Sequence, residues 1–252
     1  MRALLASVLI VTASGSSAAS DTAVYDQAVA HAGRSDKDLE RDARDRPAEV
    51  MAFAGFRPGM RVADIFAGGG YYSELISYVV GAKGEVLMVN NVPYEDYDKD
   101  NIKARFSQEG RLPNVKRMVV ESCDLQLGTG TLDAATIVMS YHDLFYADPL
   151  HGWPRIDEVH FLDQIYQALK PGGAFLIVDH AAKAGAGASV ALELHRIDED
   201  FAIKDITRHG FVYEGHYDKL RNPADDRTKI VFDKSIRGKT DRFVHLYRKP
   251  PY

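Results

Sequence analysis

The chain has 252 residues, 46% of them hydrophobic and 27% charged, with a formal net charge of −5. That balance is globular and long enough for one sizeable core, and it carries no basic excess of the kind that advertises a nucleic-acid surface. A single cysteine, Cys123, excludes an intrachain disulfide and is compatible with an oxidising compartment.

Met1 and Arg2 give a short positive start, residues 3–13 are apolar and uncharged, and Ser17 and Ala19 stand at the minus-three and minus-one positions of a cleavage site. This pattern predicts an export leader over residues 1–19 and a periplasmic location for the remainder. No later apolar run is long enough for a membrane span. Residues 20–45 form a polar segment, in which DKDLERDARDR (36–46) is expected as a helix with a solvated face. Residues 46–252 are expected to form the main domain.

Pro47 suits the first turn of a helix that ends at Gly55. From there strands and helices alternate. MRVADIF (60–66) reads as a buried strand, GGG (68–70) as a turn and YYSELISYVV (71–80) as a helix. GEVLMVNN (84–91) is a second strand, followed by a polar loop through Pro93 and a short helix over 101–109. VKRMVVE (115–121) and LDAATIVMS (132–140) are the third and fourth strands. An amphipathic helix over 156–169 stops at KPGG (170–173), and AFLIVDH (174–180) is the fifth strand. After a polar helix over 193–208, GFVYEGHYD and KTDRFVHLYRK read as two strands that pair antiparallel at one edge. The alternation predicts an α/β domain with a doubly wound, mostly parallel, seven-stranded sheet.

Three consecutive glycines after the first strand answer a steric demand, a sharp turn or a close approach. In such sheets ligands sit beyond the carboxyl ends of the strands, where the first turn lets a nucleotide-like group near the backbone. A dinucleotide site wants Gly-x-Gly-x-x-Gly, and here Ser73 replaces the third glycine. It also wants an acid about twenty residues on, where this chain has Asn90 and Asn91.

Segments 46–72, 132–146 and 165–182 and the closing strand pair, with ALKPGGAFLIVD foremost, resemble the class I S-adenosylmethionine-dependent methyltransferases. Within that class the chain is similar to predicted exported bacterial methyltransferases with GGGYY after the first strand and YHD after the fourth. The resemblance implies S-adenosylmethionine as cofactor and a small-molecule methyl acceptor, with no nucleic acid and no membrane once the leader is removed. It assigns Asp64 to the methionine amino group, and Gly68, Gly69 and Gly70 to the cofactor loop. Tyr71 covers the cofactor, Asn90 stands where an acid holds the ribose, Asp124 is the candidate for the adenine amino group, and Ser140 ends the fourth strand at the site. Phe66 stands where the family has its first glycine. Capping or packing roles stay open for Asp64, Asn90 and one of Tyr71 and Tyr72.

His142 and Asp143 after the fourth strand, and Asp179 and His180 ending the fifth, are expected at the mouth of the crevice, with His195, Arg196 and Asp198 opening the next helix. If the acceptor loses a proton, histidine suits the base role near neutral pH, His142 first and His180 second. Asp143 or Asp179 would orient it, and a pocket-wall role for His142 stands beside this one. Arg44 and Arg46 are candidates to cover the site. No metal is expected, because a hard cation wants oxygen ligands and the fourth strand ends in Ser140. The alternative function is a non-catalytic exported binding protein using the same crevice for a nucleoside-like ligand.

Overall fold

The structure, a computed structural model, describes residues 22–252, so the expected leader over 1–19 lies outside the described residues. Helices α1 (Ala23–Val29), α2 (Asp36–Asp45) and α3 (Pro47–Ala54) precede the first strand, β1 (Arg61–Ile65). Then come α4 (Tyr71–Val80), β2 (Glu85–Asn90), α5 (Val92–Tyr97), α6 (Lys99–Arg105), β3 (Val115–Val119) and β4 (Leu132–Val138). The chain continues through α7 (Glu158–Ala168), β5 (Leu169–His180), α8 (Ala191–Leu194), α9 (Glu199–Arg208), β6 (Val212–His216) and β7 (Arg242–Arg248).

Among the described residues the strands form one seven-stranded sheet in the order β3-β2-β1-β4-β5-β7-β6. β1 to β5 run parallel, while β7 lies antiparallel to both β5 and β6, as the sequence predicts. The central strands are apolar on both faces because helices cover both. One core gathers Ile65, Leu87, Ile137, Phe161, Phe175 and Phe243, and the other Val62, Leu75, Ile76, Val86, Leu176 and Val244. Each such fully buried side chain contributes roughly 1.5–3 kcal/mol relative to exposure. The winding reverses between β1 and β4, which opens a crevice above their carboxyl ends.

Three local expectations change. The polar loop through Pro93 is α5: Asn91 caps it by accepting from the Tyr94 amide, and Pro93 sits in its first turn, where a missing N–H is harmless. The single helix expected over 193–208 is two. α8 ends at His195, whose φ of 52° is left-handed, and Asp198 caps α9 by accepting from Asp200. The helix expected over 36–46 with a solvated face is instead partly buried within an N-terminal segment that packs on the rest of the chain. α1 packs on α3 and α4, the Tyr25 hydroxyl donates to the Phe56 carbonyl at 2.7 Å, and Asp45 of α2 accepts from Arg242 of β7 at 2.7 Å. The charge run of α2 buries Asp38 and Asp45 because arginines from distant segments meet them.

Candidate active site

β1 ends in a backbone that only unusual residues tolerate. Phe66 has φ 53°, a left-handed conformation that costs a side-chain-bearing residue about 1–2 kcal/mol. Its ring is held by a parallel stack on Tyr94, with centroids 4.6 Å apart, and by Phe161 at 5.1 Å. Gly68 and Gly70 also have positive φ. A Cβ on Gly68 would come within 2.4 Å of the Asp98 carboxylate, and one on Gly69 within 2.7 Å of Asn101. The glycine run therefore answers both demands: it turns the chain, and it admits a close neighbour, here the α5–α6 segment.

The loop's amides are already engaged. Asn90 accepts from the Gly68 amide and donates to the Gly68 carbonyl, both at 3.0 Å, and the Gly69 amide donates to Asp98 at 2.8 Å. Below the loop Asp64 is buried, with its carboxylate accepting from Ser73 at 2.6 Å. Burial lifts its pKa to about 6, with Ser73 and the distant Arg41 and Arg105 pulling weakly the other way.

Above the loop lies a cavity of about 530 Å³. Its floor is Asp64, Gly68 and Gly69, with Val138, Met139 and Ser140 from the end of β4. Its roof is α2, through Lys37, Arg41 and Arg44. α2 is fastened there by several contacts: Arg41 over the Tyr71 ring at 3.9 Å, Tyr71 donating to Asp42 at 2.5 Å, and Lys37 donating to Asn101 at 2.9 Å. Arg105 joins Asp38 of α2 to the buried Glu74 of α4.

The opposite wall is a cluster of histidines and acids. His142 is buried, and its Nδ1 donates to Asp179 Oδ1 at 2.8 Å while its amide donates to Asp179 Oδ2 at 2.7 Å. Its Nε2 lies 3.3 Å from His195 Nδ1 and 3.2 Å from Asp143 Oδ1. Asp143 also accepts from the Tyr94 hydroxyl. Burial pulls the His142 pKa down, but Asp143 and Asp179 outweigh it and raise it to about 9. Burial and the neighbouring positive charges push His180 well below the ordinary histidine range. His142 thus carries its proton at neutral pH and is a poor base in that state, whereas His180 is neutral.

No family model matches the chain. Over 134 residues it is 28% identical to a ubiquinone/menaquinone biosynthesis C-methyltransferase of Idiomarina loihiensis, covering 53% of this chain and 47% of that protein. Its counterpart in Hydrogenovibrio crunogenus is 24% identical over 133 residues, covering 52% of this chain and 46% of that one. The chain thus spans about half the length of the curated relatives it matches. A solved S-adenosylmethionine-dependent methyltransferase of Aquifex aeolicus is similar with a TM-score of 0.54 at 18% identity, covering 80% of this chain and 88% of that one. This is the class I methyltransferase fold.

Within the methyltransferase fold the structure brings most of the sequence-predicted residues together. Asp64, Gly68, Gly69, Tyr71, Tyr72, Ser140, His142, Asp143, His180, His195 and Arg44 all line the cavity. Others stand elsewhere. Asn90 does not reach the cavity, because its carboxamide is spent on Gly68 and Glu95. Asp124 is exposed away from it and accepts from the Gln126 amide. Gly70 lies beneath the loop against Met88. Arg196 is buried against Asp225, and Arg46 turns outward to Glu49. The sequence reading missed Asp98, Asn101, Tyr94, Tyr97 and Trp153, which come from α5–α6 and the loop after β4. Reading PYEDYDKDN as a loop hid them, although Asn91 and Pro93 form a cap-and-first-turn signal.

Proposed function

We propose that the protein is an S-adenosylmethionine-dependent methyltransferase acting on a small-molecule acceptor. The observation that carries this reading is Asp64, a buried carboxylate that lines the cavity at the end of β1 beside bare glycine backbone. A buried acid that forms no ion pair among the described residues suits a ligand ammonium, and an amino-acid-like amino group meets that need. Asp98, on the cavity beside Gly68 and Gly69, is the acid on hand for ribose hydroxyls in place of Asn90. When bound, the cofactor supplies an electrophilic methyl group on a sulfonium.

The chain's own part is to hold the acceptor in line, exclude water and take up any proton released. α2 and the Tyr94–Trp153 side flank the cavity, where a bound ligand would displace water. Of the two, His180 is the neutral histidine on the cavity, although the burial that keeps it neutral also makes it a weak base. With its own proton on Nδ1, 2.7 Å from Thr240 Oγ1, a neutral His180 leaves Nε2 as acceptor. We further propose, from the leader-like pattern of residues 1–19, that the protein is exported, which N-terminal sequencing of the protein recovered from a periplasmic fraction tests.

Calorimetry with S-adenosylmethionine, S-adenosylhomocysteine and NAD, followed by an acceptor panel scored for methyl release, tests the reading. Stoichiometric binding of both sulfur nucleosides but not NAD is expected. Failure to bind either at millimolar concentration refutes it, and binding without release on any acceptor favours the exported binding protein instead.

A further inference from the structure

The electron pairs on the histidine wall converge more closely than a hydrogen-bonded wall requires. His142 Nε2, His195 Nδ1 and Asp143 Oδ1 stand 3.3, 3.2 and 3.8 Å apart pairwise. Donors bound at 2.0–2.1 Å in tetrahedral array lie about 3.4 Å from one another, so this triangle has nearly the size of one face of such an array. The Nδ1 of His142 is committed to Asp179, which directs its Nε2 into the triangle. The proton on His142 Nε2 meets this demand partly, whereas a single cation that displaces this proton takes all three electron pairs.

Each donor is also fixed from behind. His142 hands its Nδ1–H to the buried Asp179, the carboxylate–histidine arrangement that orients metal-bound imidazoles. The second oxygen of Asp143 accepts from Tyr94, whose ring is stacked on Phe66. His195 is held by Tyr146, with centroids 5.0 Å apart, and by Phe232 at 4.9 Å, on a left-handed backbone of φ 52° that persists only where its surroundings enforce it.

We propose that His142, His195 and Asp143 bind one divalent first-row transition ion, with an open coordination position facing the cavity. Two imidazoles and one carboxylate are borderline donors that suit zinc, cobalt, iron or nickel, whereas magnesium and calcium want oxygen. All three residues line the cavity, so a ligand there reaches the fourth position. Three protein ligands with a free position are the mark of a reactive rather than a structural site. This inference is independent of the methyl-transfer reading. It replaces the expectation of no metal, which weighed oxygen ligands at the ends of β4 and β5 and did not weigh His195.

The test uses the tag-free mature protein, stripped with chelator and titrated with Co(II) and Zn(II) by calorimetry, with visible absorption of the Co(II) form. One equivalent of each is expected, with d–d bands of nitrogen-and-oxygen coordination and no competition from Mg(II). Tyr94→Phe, which frees the oxygen behind the Asp143 ligand, is expected to weaken Co(II) binding about 10–100-fold, and His195→Ala, which removes a ligand at a partly exposed ring, to weaken it further. Thermal melts of both variants in the absence of metal are expected to match the parent, which separates lost ligation from misfolding. His142→Gln adds a second ligand test if it folds. No stoichiometric uptake of either ion, or uptake unchanged in His195→Ala, overturns the proposal.

Discussion

The two walls of the cavity are built in opposite ways. The glycine wall is one continuous stretch, from Asp64 to Tyr72, whose geometry follows from adjacent residues. The histidine wall is assembled from Asp143 and His142 after β4, Asp179 and His180 at the end of β5, and His195 between two helices. The backbone of the first wall is already engaged, since the amides of Gly68 and Gly69 are both taken by neighbouring side chains, which leaves Asp64 as its open group. The second brings electron pairs together without fully satisfying them. A wall of the first kind shapes a pocket, and one of the second kind is where chemistry with protons or metal ions is available.

The largest expected effect tests whether the histidine wall is held from behind. Asp179 is fully buried and serves three donors: the His142 ring, the His142 amide and the His180 amide. Asp179→Asn presents an N–H where an acceptor is needed and strands a buried imidazolium, so a loss of roughly 3–5 kcal/mol is expected in urea unfolding. A loss below 1 kcal/mol, on the scale of an exposed pair, would show that the wall is looser than its geometry implies.

The next effect probes the glycine wall. Phe66→Ala removes the stack on Tyr94 and the tilted contact with Phe161, for an expected loss of about 3 kcal/mol or more. Phe66→Gly removes the same ring but relieves the left-handed backbone. It is therefore expected to be about 1 kcal/mol more stable than the alanine variant, against the usual order of glycine and alanine. Equal stabilities would mean that the Phe66 backbone relaxes once its ring is gone.

A smaller effect is a pH dependence that belongs to the glycine wall alone. The Asp64 pKa is raised by burial to about 6, so the group loses its charge as pH falls below that value. Affinity for a ligand ammonium is therefore expected to rise from pH 5 to 7, and to level off above. Calorimetry with S-adenosylhomocysteine across that range checks the slope, which should vanish in Asp64→Asn. The smallest effect concerns an arginine pair that the sequence could not separate. Arg44 lines the cavity, while Arg46 is paired outward with Glu49. Arg46→Ala is expected to leave ligand affinity unchanged, and Arg44→Ala to weaken it.

Much of the fold was legible because period and punctuation are local. The strand cores, the turn at residues 68–70 and the antiparallel ending lie where the sequence predicts, and α7 ends just before KPGG, although β5 begins at Leu169 and takes in KPGG instead of starting after it. The misreadings share a cause. PYEDYDKDN is polar and carries a proline, yet it is helical because Asn91 caps it and because its residues pack beside the glycine loop. Residues 193–208 look like one helix, but His195 turns left-handed among Tyr146, Phe232 and His142.

What the sequence determined by itself was a mostly parallel sheet with an antiparallel ending and the place where a crevice opens, because hydrophobic period and glycine spacing act between near neighbours. Only the tertiary structure decided how the site is furnished. It moved Asn90 out of the cavity and Asp98 into it, made α2 a roof instead of a solvated face, and charged His142 while leaving His180 neutral. Those outcomes depend on which charges and rings meet across tens of residues, and burial weights such encounters far more heavily than water does.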